Sequence, residues 1–183
     1  MIPAAVVIFS SLFVLATRQL RLSALGLLAV FAASSALTVE LAPRVEITLS
    51  GSAALAAAVI LYLAARDRGF GEDPGWRVWP AIAISATATT LAFRVFESGE
   101  VDRYLQLSAF WLLAVGLGIL LTARGPVRTV LGALLMLAGT QDVLRFEPGA
   151  HLATTIAFAW LEVLLALVGA FLIDNQRALD EGA

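Results

Sequence analysis

Apolar residues run along this chain in long stretches, broken by short clusters of charge, glycine and proline. Strict alternation at the period of a half-buried strand is absent. A helix needs about 20 apolar residues to cross roughly 30 Å of hydrocarbon. Cutting the chain at its charges, glycines and prolines predicts seven spans, at 2–17, 22–41, 47–65, 78–95, 105–123, 127–146 and 151–173. The fourth is richer in Ser and Thr than the others. The largest connection, 66–77, carries Gly69, Gly71, Pro74 and Gly75 as turn signals. The expected fold class is all-α: a polytopic transmembrane helix bundle of about seven spans in a single domain.

Composition strengthens this expectation. Apolar residues make up 60% of the 183 positions, charged residues only 14%, and the mean hydropathy is +0.90. A soluble domain carries about a quarter charged residues, because water-compatible groups must cover its surface. Lipid is the solvent that fits. No basic segment precedes the first apolar run, so that run is expected to remain as a span and not to be cleaved as a leader.

Charge then predicts orientation. Seven spans place alternate connections on opposite sides of the bilayer. One side holds eight arginines, at 18, 21, 66, 68, 77, 124, 128 and 177; the other holds four, at 44, 94, 103 and 145. The positive-inside rule puts the eight in the cytoplasm, with the N-terminus outside and the C-terminus inside. Trp76 and Trp79 then fall at the cytoplasmic interface and Tyr104 at the outer one, as anchoring aromatics do.

A repeat is legible within the chain. Arg18 and Arg124 each open a hairpin, and Gly26 and Gly132 follow at the same spacing, both pairs 106 residues apart. Each hairpin leads to an apolar span, a short acidic and basic loop (Glu40, Arg44, Glu46 against Asp142, Arg145, Glu147) and a further span. The expected organisation is a first three-helix unit at 1–68, a linking helix at 78–95, a second unit at 105–173 and a short cytoplasmic tail at 174–183. The bland alternative is that any two membrane hairpins look alike.

Candidate chemistry is sparse. There is no cysteine, so thiol nucleophiles and cysteine-ligated metal or iron–sulfur sites are excluded. The lone histidine, His151, cannot by itself build an imidazole metal site or a bis-histidine haem. No phosphate loop, dinucleotide fingerprint, zincin motif or nucleophile elbow is present, and no basic run suits nucleic acid. The expected protein has no catalytic site of its own and no cofactor.

Glu162 stands out. It lies about ten residues from either end of the last span, roughly 15 Å from each interface at 1.5 Å per residue. A charge near the bilayer centre costs several kcal/mol unless it protonates, pairs or faces water. Proton handling is the functional reading; a structural glutamate hydrogen-bonded to a neighbouring helix is the other. Asp142, Arg145 and Glu147 cluster at the outer end of the sixth span. Asp142 and Arg145 are i and i+3, spaced to pair on one helix face. Interfacial salt bridging is the simpler expectation for this group, a proton exit the alternative. Glu40 and Glu46 bracket a short loop and read as its caps. Ala81, Ser85 and Thr89 recur every four residues, with Thr90 and Arg94 on a nearby face. Ala53, Ala54, Ala57 and Ala58 do likewise in the third span. Such stripes of small residues usually mark close helix packing in lipid; a polar lining for a file of water is the alternative.

The start of the chain, Met1-Ile2-Pro3 with Ser11-Leu12-Phe13-Val14 and Arg21-Leu22-Ser23, resembles the opening of the hydrogenase-4 component E family. Gly118-Ile119-Leu120-Leu121 through Arg128 to Gly132-Ala133-Leu134-Leu135-Met136, and then Ile156 to Glu162, resemble the small K subunit of respiratory complex I. The resemblance implies seven spans and places Glu162 on the K subunit's central glutamate. It departs where that subunit carries a second glutamate in the preceding helix: Leu134 stands near that place, and Leu137 stands where component E has one. What it implies is a non-catalytic subunit of an energy-converting hydrogenase or related complex-I-like assembly, in a prokaryotic inner membrane. Its partners would be membrane lipid and the antiporter-like and quinone-site-type subunits. A small independent transporter, or a scaffold or assembly subunit of another complex, are the competing expectations.

Overall fold

The computed structural model describes residues 2–39, 42–65, 75–96, 102–146 and 152–181. Among them there are seven α-helices and no strand: α1 (Ile2–Ala16), α2 (Leu20–Thr38), α3 (Arg44–Ala64), α4 (Val78–Val95), α5 (Arg103–Thr122), α6 (Pro126–Leu144) and α7 (Leu152–Glu181). Six are long and apolar enough to cross a membrane; α1, with 15 residues, is shorter. At 1.5 Å per residue it covers only about 22 Å. The all-α membrane bundle expected from the apolar runs is therefore the fold observed.

Proline and glycine set the ends of several helices. Pro43 precedes α3 and Pro126 opens α6, where a missing N–H costs nothing because the first amides of a helix have no internal partner. A short 3-10 turn, Gly75–Arg77, leads into α4, and its Gly75 adopts a φ of 50°, open to glycine without strain. Asp102 caps α5 by accepting a hydrogen bond from the Tyr104 amide at 2.9 Å.

Successive helices run in opposite directions, so the bundle has two ends. The N-face carries the starts of α1, α3, α5 and α7 and the ends of α2, α4 and α6. The C-face carries the opposite end of each helix. A cluster of Leu20, Ala65, Val127 and Ile173 closes the C-face. Two arginines reach across helices there: Arg21 donates to the Ala65 carbonyl at 3.3 Å and Arg128 to the Leu15 carbonyl.

The helices form two rows, α1-α2-α3 and α5-α6-α7, packed so that α1 meets α5, α2 meets α6 and α3 meets α7. Helix α4 packs on the outside of α5. Burial follows this order: 61% of the apolar window of α5 and of α6 is inside the protein, against 17% for the window containing α4 and 28% for α7. In lipid, apolar area alone does not drive helices together, so close approach at small residues carries the packing. A Cβ added at Gly116 would lie 2.6 Å from the Met136 amide nitrogen, and one at Gly139 2.7 Å from that of Leu113. The α4 stripe of Ala81, Ser85 and Thr89 is buried, as expected for packing. Ser85 bonds the Ala81 and Ala114 carbonyls at 2.7 and 3.1 Å, and a Cβ at Gly118 would strike Ser85 Oγ at 2.8 Å. Ala53, Ala54, Ala57 and Ala58 of α3 are buried too.

Gly26 and Gly132 sit in matching contacts. A Cβ at Gly26 would meet Val14, Phe13 and the Ser10 carbonyl; one at Gly132 would meet Leu120, Ile119 and the Gly116 carbonyl. Each member of the second set lies 106 residues after its counterpart in the first, the same spacing as the two glycines.

Candidate functional site

Polar side chains buried within the bundle concentrate toward the N-face, where α2, α3, α6 and α7 converge. Asp142 on α6 is 1% exposed, and the side chain of Arg145, one turn on, is 7% exposed. Their i, i+3 spacing does bring them together, with Arg145 Nη1 3.4 Å from Asp142 Oδ1. The pair sits at the N-face end of α6 and is covered there by protein. Helices α2 and α3 cover it because both present hydroxyls to it, which supply the hydrogen bonds that buried ions require. Ser34 Oγ lies 2.9 and 2.7 Å from the two Asp142 carboxylate oxygens and donates to them. Arg145 donates through Nη1 to Thr38 Oγ1 at 2.9 Å and through Nη2 to Ser50 Oγ at 3.1 Å. Ser34 and Thr38 are four apart on α2, so one helix face serves both ends of the ion pair.

Glu162 on α7 is 1% exposed. The charged side chains that act on it are Asp142 and Arg145, so it belongs to the same electrostatic cluster. The Gln141 amide of α6 is its polar neighbour; under strict distance and angle limits, Gln141 Nε2 and both Glu162 carboxylate oxygens have no hydrogen-bond partner among the described residues. A buried carboxyl with neither oxygen engaged can gain or lose a proton without breaking a hydrogen bond or an ion pair. Asp142 is held in the opposite way, both of its oxygens already accepting. One site thus contains a fixed ion pair and an unengaged carboxyl.

Other candidates fall differently. Glu147, Glu40 and His151 lie outside the described residues. Glu46, expected to cap the α2–α3 loop, is 4% exposed within the first turn of α3 instead; the N-cap is Pro43, and no side chain caps that helix. Its position one turn in from Pro43 turns it toward the neighbouring helices. Leu134, near the place of the absent second glutamate, is fully buried in the apolar core. No group of three or more His, Cys, Asp or Glu able to hold a metal occurs among the described residues. Ser34, Thr38, Ser50, Gln141 and Thr155 were not legible as site residues, because isolated hydroxyls and amides in apolar runs look like packing residues. The available signal was the buried need of Asp142 and Arg145 for partners. Between α6 and α7, Gln141, Leu144, Arg145, Thr154, Thr155 and Phe158 line a narrow cleft of ≈ 10 Å³, about the space of one water.

Trp76 and Trp79 are exposed near the C-face and Tyr104 near the N-face, where interfacial aromatics are expected. No family model, curated protein or solved structure matches the chain.

Proposed function

We propose that this chain is a non-catalytic membrane subunit of a redox-driven, ion-translocating complex of the energy-converting hydrogenase or complex-I-like type, in which Glu162 forms part of a proton path. The observation that carries this reading is the Glu162 carboxyl itself, buried, with both oxygens unengaged. An intramembrane carboxyl retained at such cost is by default a functional group. The family resemblance supports the same residue. It also expects a second carboxylate on the preceding helix. On α6 the acid nearest that place is Asp142, two turns toward the N-face from Leu134 and held in its ion pair, so a partner subunit would supply the second relay carboxylate. The recurrence of the Gly26 contacts at Gly132 supports an organisation in two three-helix units. The arginine bias supports a cytoplasmic C-face, and the family resemblance implies a prokaryotic inner membrane.

A second reading has one specific observation behind it. The Asp142–Arg145 pair bonds α2 and α3 to α6, the work expected of a scaffold or assembly subunit. An independent transporter is less well served, because the described helices run unbroken through mid-depth, where carriers usually unwind to coordinate substrate.

The test is a substitution series at Glu162 in the assembled complex. Gln keeps the shape but cannot exchange a proton, so Glu162→Gln should leave assembly intact and lower the protons pumped per electron. Glu162→Asp should fall between. A fully coupled Glu162→Gln complex, with Glu162→Ala failing to assemble, overturns the relay and leaves the scaffold reading.

A further inference from the structure

The surroundings of Glu162 differ sharply above and below it. Toward the N-face lie Gln141, Arg145 and Thr155, which line the water-sized cleft between α6 and α7. Gln141 is 8% exposed and its Nε2 is unpartnered, so one amide reaches both the cleft and the neighbourhood of the Glu162 carboxyl. A water needs two to four polar partners, and the unpaired atoms here, with the Thr155 hydroxyl, supply them. Toward the C-face the same helices bury only apolar side chains and glycine. On α7 these are Ala166, Gly169 and Ile173; on α3, Ala57, Ala58 and Leu61; on α6, Val127, Val130 and Leu134 among others. Packing there is tight: a Cβ on Gly169 would lie 2.8 Å from Leu61 and 3.0 Å from Val130. A proton needs a chain of hydrogen-bonding groups, and on α3, α6 and α7 the buried groups able to contribute to one lie only on the N-face side.

We propose that Glu162 exchanges its proton with the N-face alone, through water held in the cleft between α6 and α7 at Gln141, Arg145 and Thr155. This rests on the reading of Glu162 as a proton-exchanging group and adds a direction to it. Within the isolated subunit the step toward the C-face is closed, so onward transfer from Glu162 passes sideways to a partner or not at all. Charged groups on the helices packed against α7 agree with this asymmetry. Helix α6 offers Asp142 and Arg145 on the N-face side and Arg128 at its far end; α3 offers Arg44 and Glu46, both at its N-face end; α7 itself carries Asp174 beyond the apolar plug.

Dicyclohexylcarbodiimide reacts with protonated buried carboxyls, so its rate of addition at Glu162, read by mass spectrometry of the α7 peptide, reports that group's protonation. The experiment uses the complex in sealed vesicles whose orientation is established by labelling an Asp174→Cys variant from one side. The pH is then changed on each side separately. The expected result is a labelling rate that changes by up to about tenfold per unit of N-face pH above the group's own pKa and by less than about twofold with C-face pH. In a Thr155→Leu variant, where the added bulk fills the cleft, the rate should follow an N-face pH jump more slowly than in the wild type. A rate that tracks C-face pH, both sides equally or neither side overturns the proposal. So does an assembled Thr155→Leu complex with a wild-type response. The measurement is made on the resting complex without turnover. It can therefore fail while the Glu162→Gln pumping test succeeds, and the reverse also holds.

Discussion

Arg145 makes three contacts from one guanidinium, to Asp142, Thr38 and Ser50, and so ties three helices together where lipid offers no substitute partner. Removing it alone leaves Asp142 buried and uncompensated. Arg145→Met should therefore destabilise the folded chain by about 3–5 kcal/mol. The double variant Arg145→Met with Asp142→Leu should recover most of that loss, because the stranded charge is gone; unfolding midpoints in mixed detergent measure both. A double variant no more stable than Arg145→Met would mean that the hydroxyl contacts, and not the charge, dominate. Ser34→Ala removes the one hydroxyl shared by both Asp142 oxygens while Arg145 remains. Interhelical hydrogen bonds in membranes contribute about 0.6 kcal/mol on average and at most about 2, so this variant should be mild. At this scale Glu162 was legible in the sequence, since one acid in the middle of a long apolar run is conspicuous. Its relation to Asp142 and Arg145 was not, because 17 to 20 residues and a turn separate them along the chain.

Packing between elements depends on where small residues let backbones approach. Gly116 is the most constrained: an added methyl would meet the Met136 backbone at 2.6 Å and the Gly132 carbonyl at 2.7 Å, neither of which is a side chain able to swing away. Gly116→Leu should separate α5 from α6, lowering the detergent unfolding midpoint more than Gly51→Leu, where nothing lies within 4 Å of the added carbon. Equal effects at the two sites would remove close backbone approach as the cause. The four-residue stripe on α4 and the alanines of α3 revealed their buried faces from spacing alone, because small residues in lipid-facing helices have few other uses. Helix ends were legible to within a few residues, except that α7 continues to Glu181, well past the apolar boundary at 173. Hydrophobicity marks where a helix leaves the hydrocarbon, and nothing in the polar tail, which contains neither Gly nor Pro before Gly182, stops the backbone hydrogen bonding there.

Across the whole molecule, alternating helices place Val95 and Asp174 on opposite faces, both exposed. The native chain has no cysteine, so Val95→Cys and Asp174→Cys can each be labelled without background. A membrane-impermeant maleimide should reach one from each side of sealed vesicles; labelling of both from one side would remove an odd number of crossings between them. The exposed apolar faces of α4 and α7 also bear on assembly. Trp160, Leu164, Leu167 and Phe171 form a bulky ridge along α7, and α4 is the least buried helix of the long six. Under the proposed function, mild detergent should extract the chain with larger membrane partners. A monodisperse particle of this chain alone, active in reconstituted transport, would favour the carrier reading instead.

Membrane residence, helix number and the identity of Glu162 followed from the linear order of residues, because hydrocarbon imposes a local rule: every stretch of backbone in lipid must satisfy its own hydrogen bonds, which selects helices of readable length. The surroundings of Glu162 obey no local rule. Whether Asp142 and Arg145 are exposed or covered at the end of α6 depends on whether α2 and α3 bring Ser34, Thr38 and Ser50 against them, contacts that span 95 to 108 residues of chain. The same holds for Glu46, which turned inward when its helix found neighbours. Tertiary packing alone decided that Asp142 and Arg145 are covered by hydroxyls of two other helices, and that the buried polar side chains of α3, α6 and α7 lie on only one side of Glu162.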